Sequence, residues 1–205
     1  MIASLLHLNR RDAVTLKIGD PYSLHRVVYG LFDNTQDKVA AKAETSRTVL
    51  YADKGGDLRG RQILILSDRV PLDASHGQIE SRPVPDKFLE HEHYRFEVTV
   101  NPTRRNKESR KLVAVRGHDS VVDWFVDRGQ QQWGFSVHSP SLMVKNLSVK
   151  QFDKKGDRVT LGSATLQGGL TVVDRKKFRR SFCRGIGRGR AFGFGLLQIV
   201  PIPIY

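Results

Sequence analysis

The stretch Gly185–Gly195, with the sequence GIGRGRAFGFG, contains five glycines and two arginines in eleven residues. Glycine has no Cβ, so its backbone N–H can approach a ligand closely and its φ can be positive. Arginine adds a planar guanidinium that binds phosphate through two parallel hydrogen bonds. The stretch therefore predicts a loop that lies against a phosphate backbone.

The spacing of these glycines does not fit a nucleotide-binding loop. Neither G-x-G-x-x-G nor G-x-x-x-x-G-K-[ST] occurs here. A nucleotide-binding loop also follows a strand and opens a helix, whereas this stretch follows a basic helical segment and opens an apolar strand. A polymer backbone is therefore favoured over a mononucleotide. A flexible connector is the alternative, although a free linker would not be expected to lead into Phe194–Leu197.

The charge of the whole chain supports a polyanionic partner. The 205 residues include 34 Lys and Arg against 21 Asp and Glu, a net charge of +13. Six of the basic residues lie in 101–116 and eight in 174–190. Because no amphipathic membrane anchor is evident, nucleic acid is the expected partner and a membrane is not.

Composition also limits the class of protein. A hydrophobic content of 39% with 27% charged residues is that of a globular protein. No apolar run approaches the roughly 18 residues of a membrane span, and the N-terminus lacks a basic leader. The single cysteine, Cys183, excludes an internal disulfide and a cysteine zinc cluster. We therefore expect a cytoplasmic protein.

The order of predicted elements suggests two similar halves. An apolar strand at 2–8, a helix from Asp20-Pro21 and a hairpin spanning 48–66 precede a clearly alternating strand at 94–100. Strands and helices follow in a comparable order to the last strand at 194–200. Each half reads approximately β, α, β, β, (α), β, which predicts an α+β fold of two tandem ferredoxin-like (RRM-like, βαββαβ) domains, residues 1–100 and 101–205.

His25 is the strongest candidate for a catalytic residue. Its helix carries an apolar stripe, and His25 lies on the opposite face with Tyr22 and Tyr29, next to Arg26. The positive end of the helix dipole favours the neutral imidazole that a general base needs, although RNA phosphates nearby would favour imidazolium. An ordinary surface histidine is the alternative.

No metal or other cofactor is expected. His91 and His93 are only two residues apart and lack a third ligand at a useful spacing. The basic segments are almost free of carboxylates, so acidic metal ligands would be missing where nucleic acid is expected to bind. If the protein cuts a nucleic acid, a metal-free route through the RNA 2′-hydroxyl fits these residues better than a route that needs acidic metal ligands. Histidine, tyrosine and basic residues can supply the base, the acid and the cations of that route.

Four segments together resemble the CasE type of CRISPR repeat-processing endoribonuclease, of the repeat-associated RNA-binding (RAMP) superfamily. They are Pro21–Arg26 (PYSLHR), Arg95–Thr103 (RFEVTVNPT), Gln167–Asp174 (QGGLTVVD) and the glycine-rich stretch with the following Leu196-Leu197. They occur in the order expected of that family over almost the whole chain.

The resemblance implies tandem ferredoxin-like domains and metal-independent cleavage of precursor CRISPR RNA at the base of each repeat hairpin. It implies His25 as the catalytic histidine and Tyr22 as its helper, with 5′-hydroxyl and 2′,3′-cyclic phosphate products. The hairpin would stay bound, making the chain a subunit of a CRISPR surveillance complex. The chain departs from the family at Glu97 and Thr99 and in the tail Pro201–Tyr205.

The sequence thus predicts a catalytic pair and a set of RNA-binding residues. A non-catalytic RNA-hairpin-binding subunit of a ribonucleoprotein is the alternative function, and His25 distinguishes the two. The residues expected to hold RNA are Arg26, Arg104, Arg105, Lys107, Arg110, Lys111, Lys154, Lys155, Arg158, Arg184, Gly187, Arg188, Gly189 and Arg190.

Overall fold

The computed structural model describes residues 1–32, 48–57, 60–154 and 156–202. The chain forms two compact units, each built on an antiparallel sheet. We call Met1–Val84 with Ala191–Gly193 the N-terminal unit, and Pro85–Arg190 with Phe194–Tyr205 the C-terminal unit. Both sheets have the strand order of a ferredoxin-like domain, so the predicted fold class is confirmed.

The N-terminal unit has a four-stranded sheet in the order β2-β3-β1-β4. Its central strand β1 pairs antiparallel with β3 and with β4, as the ferredoxin-like order requires. The connection 68–77, which is described throughout, contains no helix, so the second helix of the motif is missing there. The elements are β1 (Ile2–Leu8), α1 (Arg10–Thr15), α2 (Pro21–Gly30), β2 (Val49–Asp57), β3 (Gly60–Ser67) and β4 (Gln78–Pro83).

The core of this unit lies between α2 and one face of the sheet. Leu24 and Val28 of α2 pack with Leu6 of β1 and with Ile63 and Ile65 of β3, and all five side chains are buried. Burying a side chain of this kind contributes about 1.5–3 kcal/mol. The apolar spacing that predicted α2 is therefore the spacing that attaches it to the sheet.

The C-terminal unit has a larger sheet in the order β11-β5-β10-β8. Strand β8 pairs with residues 170–172 of β10, and β9 pairs with residues 157–167 of β10. Strands β6 and β7 form a separate two-stranded ribbon. The elements are β5 (His93–Val100), β6 (Thr103–Arg105), β7 (Leu112–Ala114), α3 (His118–Arg128), β8 (Phe135–Val137), β9 (Met143–Lys154), β10 (Asp157–Val172), α4 (Arg175–Arg184) and β11 (Gln198–Pro201).

Strand β5 belongs to the C-terminal unit. The sequence placed it at the end of the first half, with the boundary after residue 100. In the structure β5 is the first strand of the second sheet, paired with β10 from Val100↔Ala164 to His93↔Thr171 and with β11 on its other side. The compact units accordingly divide after Val84, because these long-range pairings hold β5 in the second sheet.

The glycine-rich stretch contributes to both units. Residues 185–190 and 194–195 belong to the C-terminal unit, and Ala191–Gly193 belong to the N-terminal unit. A short 3₁₀ turn, Arg190–Phe192, lies in its middle. Three residues from the C-terminal part of the sequence are thereby available to the N-terminal unit.

Candidate active site

Helix α2 positions the predicted catalytic pair. Asp20 caps its N-terminus: its carboxylate accepts a hydrogen bond from the Ser23 backbone N–H at 2.7 Å, and the Ser23 hydroxyl pairs back with the Asp20 backbone. Pro21 occupies the first turn, where its missing N–H costs nothing. Because Leu24 and Val28 face the core, Tyr22 and His25 lie on the other side of the helix. Tyr29 is half-buried and also packs against the core.

His25 is half-buried and is held by the backbone of residue 191. Its Nδ1 lies 2.7 Å from the carbonyl oxygen of Ala191. A carbonyl oxygen only accepts hydrogen bonds, so Nδ1 carries the hydrogen and donates it. In the neutral ring Nε2 then carries the lone pair. This contact fixes the tautomer that a general base acting through Nε2 requires.

Tyr51 of β2 supports the same carbonyl from inside the unit. Its side chain is 0% exposed, and its hydroxyl donates to the Ala191 carbonyl oxygen at 3.1 Å. Burial raises the pKa of the Tyr51 phenol well above its ordinary value, so it remains a donor across the physiological range. The Ala191 carbonyl therefore accepts from two side chains, and His25 is one of them.

Gly193 allows this tyrosine ring to approach the chain closely. A Cβ added at Gly193 would lie 2.9 Å from Tyr51 Cε2, and the residue has a φ of +81°. Any other residue would meet both the ring and the strain of the left-handed region. The glycine thus seats the 191–193 segment on Tyr51, which keeps the Ala191 carbonyl within reach of His25.

Three aromatic rings surround the imidazole. Tyr29 has its ring centroid 4.2 Å from that of His25, and Phe192 lies at 5.7 Å. Tyr22, the predicted helper, is stacked at 6.0 Å with an interplanar angle of 13°. The ring of His25 is therefore restrained by packing as well as by its hydrogen bond.

The sequence predicted that His25 and Tyr22 share a helix face, but it predicted neither the Ala191 carbonyl that bonds His25 nor Tyr51, which bonds the same carbonyl. Tyr51 was assigned only to a predicted strand, and Ala191 was part of the glycine-rich stretch. One signal was available: Tyr51 lies in the apolar first part of its strand, 49–52, and a buried tyrosine hydroxyl requires a hydrogen-bond partner. The partner itself is 140 residues away, and no local pattern identifies it.

Of the predicted RNA-binding residues, Arg26 lies on α2 in the N-terminal unit and is exposed. Five lie in the C-terminal unit on what we call the basic ribbon, residues 103–114. Its strands β6 and β7 pair from Thr103↔Ala114 to Arg105↔Leu112. All five of these side chains are exposed: Arg104, Arg105, Lys107, Arg110 and Lys111.

Other predicted RNA-binding residues of the C-terminal unit lie at the end of α4 and in the glycine-rich stretch. Arg184, Arg188 and Arg190 are exposed, and Gly187 and Gly189 lie between them with positive φ. The Arg190 guanidinium donates to the Arg184 carbonyl oxygen at 2.7 Å. Backbone pairing of Arg188 with Asn101 holds the stretch beside the end of β5.

The third predicted group lies where β9 turns into β10. Lys154 and Arg158 are exposed there, and Arg158 donates to the Gln151 side-chain oxygen at 2.9 Å. Lys155 lies outside the described residues. All predicted RNA-binding residues other than Arg26 and Lys155 therefore belong to the described part of the C-terminal unit.

Two other histidines share one hydrogen-bond partner. His93 Nδ1 and His138 Nε2 both bond the hydroxyl of Thr171, at 3.1 and 2.8 Å, in the C-terminal unit. Within the described ranges, no three His, Cys, Asp or Glu side chains are grouped so that they could hold a metal ion. No helix in the same ranges has the length and apolar character needed to cross a membrane.

Comparison with known proteins agrees with this fold. The model of the family described as CRISPR associated protein matches residues 1–201. The CRISPR-associated endoribonuclease Cse3 of Thermus thermophilus is 26% identical over 212 residues, which cover 94% of this chain and 93% of that protein. The chain belongs to the CRISPR associated protein family.

Two solved structures have the same fold. Thermus thermophilus Cse3 bound to an RNA representing a pre-cleavage complex superposes with a TM-score of 0.81 at 21% identity, covering 98% of each chain. A chain of a CRISPR RNA-guided surveillance complex superposes with a TM-score of 0.63 at 14% identity, covering 98% of this chain and all of that one.

Proposed function

We propose that this protein is a metal-independent endoribonuclease that processes precursor CRISPR RNA, with His25 as the general base. The observation that carries the proposal is the hydrogen bond from His25 Nδ1 to the Ala191 carbonyl, because it leaves the lone pair of the neutral ring on Nε2. The similarity to an endoribonuclease named Cse3 over nearly the whole chain supports RNA as the substrate.

The proposed reaction begins at His25. Nε2 of His25 takes the proton of the ribose 2′-hydroxyl, and the 2′-oxygen attacks the adjacent phosphorus. The bond from phosphorus to the 5′-oxygen breaks, and the imidazolium returns its proton to that oxygen. The products are a 2′,3′-cyclic phosphate and a 5′-hydroxyl.

Two neighbours of His25 have supporting roles in this mechanism. Arg26, the next residue of α2, is exposed, and in this proposal it offsets the negative charge that develops on the phosphate. Tyr22, stacked on the imidazole, donates a hydrogen bond toward the same phosphate. A general base of this kind contributes about 10²–10⁴-fold to the rate.

The basic residues of the C-terminal unit hold the repeat hairpin in this proposal. The basic ribbon and the arginines of the glycine-rich stretch are exposed cations on short, backbone-paired elements. Such cations bind phosphates and release counterions, so affinity falls as salt rises. We propose further that the hairpin stays bound after cleavage and that the chain joins a CRISPR surveillance complex, which its fold similarity to a chain of such a complex supports.

Cleavage of a repeat-hairpin RNA in EDTA tests the mechanism. The wild-type protein should cut the all-ribose substrate and should leave uncut a matched substrate with 2′-deoxyribose at the scissile position. Cleavage of the deoxy substrate, or a strict need for Mg²⁺, would contradict the mechanism. Tight binding with no cleavage under any condition would support the alternative, a non-catalytic hairpin-binding subunit.

A further inference from the structure

A pocket of about 440 Å³ opens in the C-terminal unit. Its lining comes from the end of β5, the basic ribbon, α3 with the helical turn that follows it, and the glycine-rich stretch. The volume lies within the range of about 300–1,000 Å³ that is typical of small-ligand sites. The proposed cleavage chemistry at His25 does not use this pocket, although Arg105, Gly187 and Arg188 of its lining are among the residues expected to hold RNA.

The charges around the pocket favour an anion. Arg105, Arg128 and Arg188 line it, and none of its lining residues is Asp or Glu. Two of these guanidiniums donate hydrogen bonds to neutral oxygens. Arg105 donates to the Arg110 carbonyl at 3.1 Å, and Arg128 donates to the Gln132 side chain at 2.7 Å. A phosphate entering the pocket would therefore meet cations without displacing a carboxylate.

The same pocket offers aromatic surface. Trp124 and Trp133 both line it, with ring centroids 5.6 Å apart in an edge-to-face arrangement. Trp133 is buried, whereas Trp124 is half-buried, and its Nε1–H donates to the Thr103 carbonyl at 3.0 Å. This hydrogen bond fixes the indole in place, so its face is preorganised for stacking.

The rim is open where the glycine-rich stretch crosses it. Backbone pairing of Arg188 with Asn101 places Gly187 and Arg188 at the edge of the pocket. A Cβ built at Gly187 would meet no atom within 4 Å. A ligand can therefore approach the backbone of Gly187 closely, and the next residue, Arg188, also lines the pocket.

We propose that this pocket binds one unpaired nucleotide of RNA, with its base stacked on Trp124 and its phosphate among the three arginines. Unpaired bases are recognised by stacking on aromatic side chains and on guanidinium planes. A base inside a duplex is already stacked on both faces and cannot enter. The inference deepens the proposed function, since it rests on RNA being the ligand of this unit.

Intrinsic fluorescence gives a direct test, because the only two tryptophans of the sequence both line the pocket. The probe is a single-stranded five-nucleotide RNA, titrated into the full-length protein. The tryptophan fluorescence should change as this RNA is added and should reach a plateau when the pocket is saturated. A blunt RNA duplex long enough to remain paired in the assay and inorganic phosphate should each require at least about ten times more ligand. An equal response to either of these two would overturn the proposal.

Two arginine variants locate the response. Arg128→Gln keeps an amide at the rim but removes the charge, and we expect it to weaken pentamer binding about ten-fold. Arg180→Gln removes one exposed charge from α4, outside the pocket, and should change binding less than two-fold. Near-ultraviolet circular dichroism confirms that both variants are folded. Equal affinities for the two variants would overturn the pocket assignment.

The outcome is separable from the proposed cleavage. Arg128 is not part of the His25 site. An unchanged pentamer affinity in Arg128→Gln with normal cleavage of the repeat hairpin would therefore refute the nucleotide-binding proposal and leave the proposed cleavage function intact. Conversely, the expected fluorescence results in a protein that never cuts RNA would leave the pocket standing and remove the catalytic function.

Discussion

Replacing Tyr51 with Phe tests how His25, the proposed general base, is held in place. The change removes only the hydroxyl that donates to the Ala191 carbonyl at 3.1 Å and leaves a buried ring of nearly the same shape. Such a hydrogen bond contributes about 0.5–1.5 kcal/mol net. The carbonyl keeps its hydrogen bond from His25, so no buried acceptor loses all its partners. We expect the free energy of unfolding at pH 8 to fall by about 1 kcal/mol.

The effect should reverse at high pH. Burial raises the pKa of Tyr51 above its ordinary value of 10.0. The unfolded chain therefore releases this proton above about pH 10 while the folded chain retains it, and the wild type loses stability as the pH rises. The loss is on the order of 1 kcal/mol at pH 11. Tyr51→Phe has no such loss and should equal or exceed the wild type in stability by pH 11.

Urea unfolding followed by far-ultraviolet circular dichroism at pH 8, 9.5 and 11 measures both effects. Tyr94→Phe is the matched control, because Tyr94 is also buried and its hydroxyl donates to the Phe88 carbonyl at 2.8 Å. Tyr51→Phe should slow cleavage of the repeat hairpin several-fold, and Tyr94→Phe should not. A stability difference that stays constant from pH 8 to 11, or equal cleavage by the two variants, would refute the reasoning.

Three further predictions concern the glycines, the basic residues and the cysteine. Gly193→Ala should lower the free energy of unfolding by about 1–3 kcal/mol and slow cleavage. The control Gly117→Ala, with a similar φ of +86° but open space around it, should lower the free energy of unfolding without slowing cleavage. Equal cleavage by the two variants would argue against a role for the contact between Gly193 and Tyr51. Replacing Arg188 and Arg190 together with Ala should reduce the log–log salt dependence of RNA binding by about 0.7–0.9 for each phosphate that the two arginines neutralise, and an unchanged slope would show that neither arginine binds a phosphate. Burial raises the pKa of the Cys183 thiol, so a thiol reagent at pH 8 should react more slowly with the folded than with the urea-unfolded protein, and equal rates would contradict that.

Much of the fold could be predicted from local patterns in the sequence. The Asp20-Pro21 start and the spacing of Leu24 and Val28 predicted α2, and the clean alternation from Tyr94 to Val100 predicted β5. Periodicity and capping act over a few residues, so sequence alone reveals them. The order of such elements was sufficient for the ferredoxin-like class.

The assignment of β5 to a sheet needed information that local pattern does not carry. Glu97 pairs with Gln167 on one side and with Gln198 on the other. Both partners are far away in the sequence, and an alternating strand pairs equally well in principle with several others. The proline after Asn101 looked like a domain boundary, although it only turns the chain into the basic ribbon.

The same limit applies to the candidate site. His25 and Tyr22 share one helix face, so their proximity follows from helical spacing. The Ala191 carbonyl is 166 residues from His25, and only the folded chain brings them together. The glycine-rich stretch 185–195 was predicted to be an RNA-facing loop. Three of its residues, Ala191–Gly193, belong to the N-terminal unit, and the Ala191 carbonyl bonds His25 there.

The most direct test of the account is single-turnover cleavage of a repeat-hairpin RNA in EDTA by His25→Asn. Asparagine retains an N–H donor near the position of Nδ1, and so can still hold the Ala191 carbonyl, but it has no base at the position of Nε2. We predict a rate about 10²–10⁴-fold below wild type with hairpin affinity changed less than two-fold, and a normal rate for the control His93→Asn. A His25→Asn rate within a few-fold of wild type would contradict the assignment of the general base.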